Sequence, residues 1–195
     1  MAKSHTIVAY VEDRPGVLAR IASLFRRRGF NIESLTVGHT NEPGLSRMTI
    51  AVDVNERMMV QVERQLFKLI EVVSVVNISG ESIVDRELTL FKVVCGPETK
   101  NNILEIVDTF RADVVDVDEK TMIVQLVADE GKMEELELLL RPFGILETVS
   151  TGRVAMVRGA MTSKPDSVTE NEREAEAARA QMGRRPEGIL PFTSD

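Results

Sequence analysis

The hydrophobic positions along the chain change their period several times, from short runs to helical stripes and to alternation. Apolar residues recur at helical spacing from Val17 to Phe25, which predicts an amphipathic helix that ends at Gly29. Asn55 is a candidate N-cap for a second helix. Short apolar or alternating runs around these helices predict strands at residues 7–11, 32–37, 48–54 and 72–78. The predicted order is strand, helix, strand, strand, helix, strand.

The same order of elements is repeated in the second half of the chain. Strands are predicted at residues 88–95, 114–117, 122–127 and 149–157, the last of them interrupted by Gly152. The predicted fold class is α+β, with two ferredoxin-like βαββαβ units. We predict domains at residues 4–79 and 80–158, joined by a short linker at 80–87. A polar tail at 159–195, poor in aliphatic residues, is expected to be flexible.

Each predicted sheet has one face without helices, and this face must be covered by something. The strands at residues 7–11 and 72–78 contain too few charges for a solvated face. We therefore expect this face to pack against another domain or against a second copy of the chain, which predicts an oligomer.

Composition limits the classes of function. The net charge of −7 argues against broad binding to nucleic acid, and the basic run at residues 26–28 is explained by its position at a helix end. The single cysteine, Cys95, lies in an apolar run and cannot form an internal disulfide. The sequence shows neither a signal peptide nor an apolar run of about 18 residues. We expect a cytoplasmic protein with no nucleic-acid or membrane partner.

The chain lacks the residue clusters that metal sites and catalytic centres need. Its two histidines, His5 and His39, are far from each other and from Cys95 in the sequence, and His39 falls in a turn-rich loop where solvation is expected. There is no glycine-rich phosphate motif. Acylphosphatase-type activity is an alternative on this fold, but no residues support it. We expect no catalytic residues, no metal ligands and no enzymatic activity of the chain alone.

The segment between the first strand and the first helix fits the charged groups of a free amino acid. Pro15 and Gly16 leave the first helical turn uncovered, so its N–H groups can meet a carboxylate, helped by the helix dipole. Asp13 could take an ammonium group, and Asn31 adds an amide at the start of the second strand. An alternative is ordinary helix initiation, with Asp13 as the cap and Pro15 at the first helical position. These residues alone leave both interpretations open. The candidate residues are Asp13, Pro15, Gly16, Val17, Leu18 and Asn31.

A family resemblance extends this interpretation. The motif Asp13-Arg14-Pro15-Gly16-Val17-Leu18 in a βαββαβ unit resembles the ACT domain, a small-molecule sensor that usually responds to amino acids. Longer stretches are similar to the acetolactate synthase small-subunit family, and these stretches lie at residues 28–38, 45–50, 63–72, 86–88, 110–117 and 125–126. The resemblance covers about residues 3–158.

The resemblance implies a regulatory subunit with no chemistry of its own. Members of this family form homodimers in which ACT domains pair edge to edge and hold an effector at their interface, usually valine and in some members leucine or isoleucine. The effector carboxylate would lie against the turn at Gly16, Val17 and Leu18, and Asn31 would reach it from the facing chain. Ile32 is assigned to the same site. Asp13 stands where some members have Asn.

The resemblance also implies a separate catalytic (large) subunit of acetolactate synthase. That subunit would bind thiamine diphosphate, Mg²⁺ and FAD and would condense two pyruvates, or pyruvate with 2-oxobutyrate. The present chain would hold none of these cofactors. It would activate the catalytic subunit and confer feedback inhibition in branched-chain amino acid biosynthesis. The main alternative is a stand-alone ACT-repeat sensor that regulates transcription or another enzyme.

Overall fold

The N-terminal half of the chain folds into an antiparallel sheet with two helices. The computed structural model describes residues 3–164. The elements of this half are β1 (Lys3–Glu12), α1 (Val17–Arg28), β2 (Ile32–His39), β3 (Leu45–Val54), α2 (Glu56–Leu66) and β4 (Val72–Asn77). The strands lie in the order β2-β3-β1-β4, and each neighbouring pair is antiparallel. This is the ferredoxin-like arrangement that the βαββαβ pattern predicts.

The second half repeats this arrangement. Its elements are β5 (Ile83–Val94), α3 (Lys100–Phe110), β6 (Asp113–Val117), β7 (Thr121–Ala128), α4 (Glu130–Leu140), a 3-10 turn (Arg141–Phe143), β8 (Ile145–Ser150) and β9 (Val154–Val157). The strand order β6-β7-β5-β8 corresponds to the order of the first sheet, and β9 pairs with β5 outside this path. The predicted α+β class with two ferredoxin-like units is confirmed.

Local sequence signals fix the ends of several helices. Gly29 follows α1 with a left-handed φ of 68°, and its N–H donates back to the Arg26 carbonyl. The Asn55 side chain accepts a hydrogen bond from the Met58 N–H at 2.9 Å, so the predicted cap of α2 is confirmed. Asp129 caps α4 in the same way. Asn55 and Asp129 each satisfy an N–H group at the start of a helix, and Gly29 donates to a carbonyl at the end of one.

Two apolar cores hold the helices on their sheets. In the first core, Ile21 of α1 and Leu66 of α2 are fully buried against strand residues such as Ile50. In the second, Phe91 of β5 packs with Leu136 of α4. Burial of apolar surface contributes roughly 25 cal/mol per Å², so these contacts, and not helix propensity alone, hold the short helices in place.

The C-terminal strand prediction was wrong in one respect. Residues 149–157 were expected to form one strand interrupted by Gly152, but the chain forms two strands with different partners. β8 closes the second sheet beside β5, whereas β9 pairs with the first four residues of β5, from Ile83↔Val157 to Arg86↔Val154. The predicted linker at 80–87 is therefore largely strand. Gly152, with φ +80°, allows the change of direction between β8 and β9.

The helix-free face of the first sheet is covered by the chain itself. Ala155 of β9 is 3% exposed and packs in a cluster with Val8, Tyr10 and Ile78. We expected this face to pack against another domain or against a second copy of the chain. The C-terminal half of the same chain lies on it, through β9. The corresponding face of the second sheet still exposes apolar side chains at Val127 and Val149.

Residues 165–195, which make up most of the predicted tail, lie outside the described residues. Over residues 3–164, no helix combines the length and the apolar composition needed to cross a bilayer.

Candidate functional site

The turn between β1 and α1 has an unusual helix start. Gly16 is the N-cap residue, with φ 91° and ψ −12°, and no side chain caps the helix. Pro15 precedes the N-cap, so it is not at the first helical position, and Asp13 is not the cap. The alternative with Asp13 as the cap and Pro15 at the first helical position is therefore wrong, because Gly16 takes the N-cap position.

The first turn of α1 presents backbone N–H groups without acidic side chains to neutralise them. The Arg20 N–H donates to the Gly16 carbonyl at 3.0 Å, and the Val17 N–H makes a long contact of 3.4 Å with the Arg14 carbonyl. The first turn contains no acidic residue. A helix N-terminus of this kind carries roughly half a positive charge, which favours an anion such as a carboxylate.

The space in front of this turn is open. A Cβ built on Gly16 would meet no heavy atom within 4 Å. The Val17 side chain is only 5% exposed and belongs to the first core, so only its backbone can serve a ligand. Leu18 is 45% exposed and lies next to it on the helix. The turn therefore combines polar N–H groups with one accessible apolar side chain.

Asp13 is held beside this turn by two contacts. Its N–H donates to the Gly44 carbonyl at 2.8 Å, and its carboxylate oxygen lies 3.1 Å from Nδ1 of His39. Both side chains remain accessible to solvent, at 43% exposure for Asp13 and 82% for His39. Sequence reasoning missed His39, because it assigned this residue to the loop and not to the end of β2. The observed length of β2 brings the two residues together.

The arginines nearest to the turn are paired with carboxylates. Arg14 contacts Glu12 at 3.2 Å, and the Arg20 guanidinium contacts Glu71, at the entry to β4. Each of these two guanidinium groups therefore already faces a carboxylate of the chain.

Asn31 and Ile32 do not join the other candidate residues within one chain. They lie beyond the C-terminal end of α1, a helix of 12 residues that is about 18 Å long. Asn31 is exposed, and Ile32 is partly buried against the first core. Ile32 is the first residue of β2 and Asn31 precedes it. β2 is an edge strand of the sheet. The structure thus brings together Asp13, Pro15, Gly16, Val17 and Leu18, and leaves Asn31 and Ile32 at the opposite end of the helix.

No described groove encloses these residues. A surface groove of about 580 Å³ is lined by residues at the C-terminal end of α2 and just after it, together with Val75. A second groove of about 340 Å³ is lined by residues of α1 and by Leu69. Neither groove contains a predicted site residue. In residues 3–164 no three His, Cys, Asp or Glu side chains are grouped to hold a metal. Of the candidate residues, Asp13 and Leu18 are both accessible at the surface of the chain.

Two family profiles match the chain, one over each half. The profile described as an AHAS small subunit-like ACT domain matches residues 7–74, and that of the small subunit of acetolactate synthase matches residues 86–159.

Relatives match across most of their length. A protein of Archaeoglobus fulgidus named as a probable acetolactate synthase small subunit is 52% identical over 80% of this chain and 97% of its own. The acetolactate synthase small subunit of Bacillus subtilis is 44% identical over 84% of this chain and 95% of its own. The crystal structure of the acetolactate synthase small subunit from Thermotoga maritima superposes with a TM-score of 0.74 at 37% identity, covering 82% of this chain and 99% of that one.

Proposed function

The chain belongs to the acetolactate synthase small-subunit family, and from this we propose that it activates a catalytic subunit and inhibits it when a branched-chain amino acid binds. Valine is the first candidate effector, with leucine and isoleucine as alternatives. The thiamine diphosphate, Mg²⁺ and FAD of the reaction would be bound by the catalytic subunit. The present chain would contribute regulation only.

The uncapped turn at Gly16 is the observation that carries this proposal. A free amino acid has a carboxylate and an ammonium group on the same carbon. The carboxylate would accept hydrogen bonds from the N–H groups at the start of α1, where a Cβ at Gly16 would meet nothing within 4 Å. The ammonium group would face the Asp13 carboxylate. Leu18, 45% exposed, would contact an aliphatic side chain.

Pairing of two β2 strands would complete the site. β2 is an edge strand and spans residues 32–39, so its free edge can take a second copy of itself. A two-fold antiparallel pairing about the middle of the strand would set residue 32 opposite residue 39. Asn31 of one copy would then lie near His39 of the other, and His39 contacts Asp13. This arrangement explains why candidate residues at opposite ends of α1 can belong to one site.

Symmetry then gives two equivalent sites per dimer. Each site would take the Gly16 turn from one copy and Asn31 and Ile32 from the other. Effector binding would therefore depend on how the two edge strands pair, and it would favour one pairing over others. A ligand can inhibit only through such a difference in affinity between two states.

The direct experiment measures acetolactate formation by the catalytic subunit of the same organism. The rate is compared for the catalytic subunit alone, with this chain, and with this chain plus valine. We expect this chain to raise the rate and valine to reverse the rise. If the rate rises but only leucine or isoleucine reverses it, the regulatory role stands and the effector is corrected. If the chain changes nothing, the proposal is wrong.

A further inference from the structure

The segment between β8 and β9 contacts both β2, the edge strand of the first sheet, and the second ferredoxin-like unit. We use the term second unit for the elements from β5 to β8. Gly152 and Arg153 lie in this segment, and we call them the 152–153 link. The Arg153 N–H donates to Oγ of Ser34 at 2.9 Å, and Oγ1 of Thr36 donates to the Arg153 carbonyl at 3.0 Å. Both hydroxyls belong to β2. The link is therefore attached by its backbone to the strand on which the proposed effector site depends.

Gly152 approaches β2 more closely than any other residue type could. Its φ is +80°, and a Cβ at this position would lie 2.8 Å from Oγ of Ser34 and 3.1 Å from Oγ1 of Thr36. Real Cβ atoms essentially never approach a heavy atom to less than 3.0 Å. The absence of a side chain at position 152 is therefore required by the contact with β2, in addition to the backbone conformation.

The Arg153 side chain makes the contacts on the other side of the link. It is 13% exposed, and its guanidinium lies 3.8 Å from the Asp85 carboxylate in β5 and contacts Glu130 in the first turn of α4. Asp85 and Glu130 both belong to the second unit. One residue thus contacts β2 through its peptide groups and the second unit through its side chain.

Neighbouring contacts hold β9 on the first sheet. The Arg47 guanidinium donates to the Ala155 carbonyl and, at 2.9 Å, to Oγ1 of Thr49. Ala155 is buried against the sheet. The link therefore cannot swing freely, and a shift of β2 must either move Arg153 or break its hydrogen bonds.

On these contacts, and resting on the proposed function, we propose that the 152–153 link transmits the effector-bound state of β2 to the second unit. When an effector at the dimer interface changes the pairing of β2, Ser34 and Thr36 shift with the strand. Arg153 follows through its peptide N–H and carbonyl, and its guanidinium carries the shift to Asp85 and Glu130. Packed interfaces of this kind change between discrete arrangements, which allows a small displacement to have a distant effect.

The test separates effector binding from its consequence. Valine affinity of the full-length chain is measured by calorimetry, and the rate of the catalytic subunit with each chain is measured with and without saturating valine. The variants are Gly152→Ala, which creates the clash with β2, and Arg153→Gln, which removes the ion pairs and leaves the backbone unchanged. Gly159→Ala is the matched control, because Gly159 has a φ of +79° but open space around its Cβ position.

We expect both link variants to bind valine with an affinity close to that of the original chain but to lose inhibition. Allosteric coupling is typically about 5–150-fold, and in both variants the ratio of valine-free to valine-saturated rates should fall towards 1. Arg153→Lys should restore part of the inhibition, since it keeps the charge. Gly159→Ala should behave as the original chain does.

The outcomes distinguish this proposal from the regulatory role itself. If the original chain shows neither activation nor valine inhibition, the proposed function fails. If the original chain is inhibited and both variants are inhibited to the same extent, the link does not transmit the signal. If both variants lose valine affinity in proportion to inhibition, the link belongs to the binding site and the proposal is wrong. Should Gly152→Ala fail to fold, Arg153→Gln decides alone.

Discussion

A charge placed at position 16 provides a quantitative test of the effector site. Gly16 is the N-cap of α1, and a Cβ there would meet no atom of the chain within 4 Å, so a side chain can be introduced without a clash. Gly16→Asp would place a carboxylate beside the position proposed for the effector carboxylate. Gly16→Asn is the matched control, since the two side chains have nearly the same size and both tolerate a left-handed backbone.

The expected difference between the two variants follows from the charge alone. Two unit charges about 4 Å apart repel by about 4 kcal/mol at an effective dielectric constant of about 20. Because the turn is exposed to solvent, we reduce this value by about half. The remaining difference of about 2 kcal/mol corresponds to a roughly 30-fold weaker affinity for valine in Gly16→Asp than in Gly16→Asn. Both variants also bear a conformational cost of about 1–2 kcal/mol from the positive φ.

Calorimetric titration of valine into each variant measures this difference, and thermal unfolding shows whether the two have similar stability. The charge should also make the difference smaller at high salt, because exposed charges are screened. Equal valine affinities for Gly16→Asp and Gly16→Asn would refute the reasoning, since the effector carboxylate would then lie elsewhere.

Three further predictions concern the site and the fold. Asn31→His should raise the valine concentration that gives half-maximal inhibition at least about tenfold in the rate assay, because Asn31 is proposed to contact the effector bound by the other copy. An unchanged inhibition curve would show that Asn31 is not part of the site. Asn55→Ala should lower the free energy of unfolding in urea by about 1 kcal/mol through loss of the 2.9 Å cap to Met58, whereas Asn55→Asp should retain most of it. Phe91→Ala should cost about 3–5 kcal/mol in the same experiment, because Phe91 is 1% exposed in the second core, and a loss below about 1 kcal/mol would contradict this packing.

Local patterns were sufficient to predict most of the elements. The helical spacing from Val17 to Phe25 and the cap at Asn55 depend on residues close in sequence, and both are present in the structure. The doubled βαββαβ order follows from the same kind of signal. The α+β class could therefore be derived without knowledge of any long-range contact.

The pairing of β9 with the start of β5 could not be derived in this way. Pairing of Ile83 with Val157 joins positions far apart in sequence, and hydrophobic periodicity does not identify the partner of a strand. Gly152 was noticed only as an interruption of one strand. Its contact with Ser34 and Thr36 is visible only when the first sheet and the C-terminal segment are seen together.

The candidate site was only partly derivable for a related reason. Asp13 and Gly16 are neighbours in sequence, and the turn that joins them could be recognised from residue types. The alternative that made Asp13 the helix cap was wrong because Gly16, in a left-handed conformation, takes the N-cap position. His39 reaches Asp13 only through the length of β2. Asn31 lies a full helix length from Gly16, so the proposal that it belongs to the same site requires a second copy.

The most direct test of the central claim is therefore a complementation experiment with two defective chains. Gly16→Asp and Asn31→His are each expected to weaken valine binding by at least about tenfold. When the two are unfolded together and refolded as an equal mixture, half of the dimers should be mixed, and each mixed dimer should contain one site with Gly16 and Asn31 both intact. The account predicts that about a quarter of the original valine-binding capacity returns, with the original affinity. If mixed dimers form and no binding returns, each site is built from a single chain, and the shared effector site proposed for this regulatory subunit is wrong.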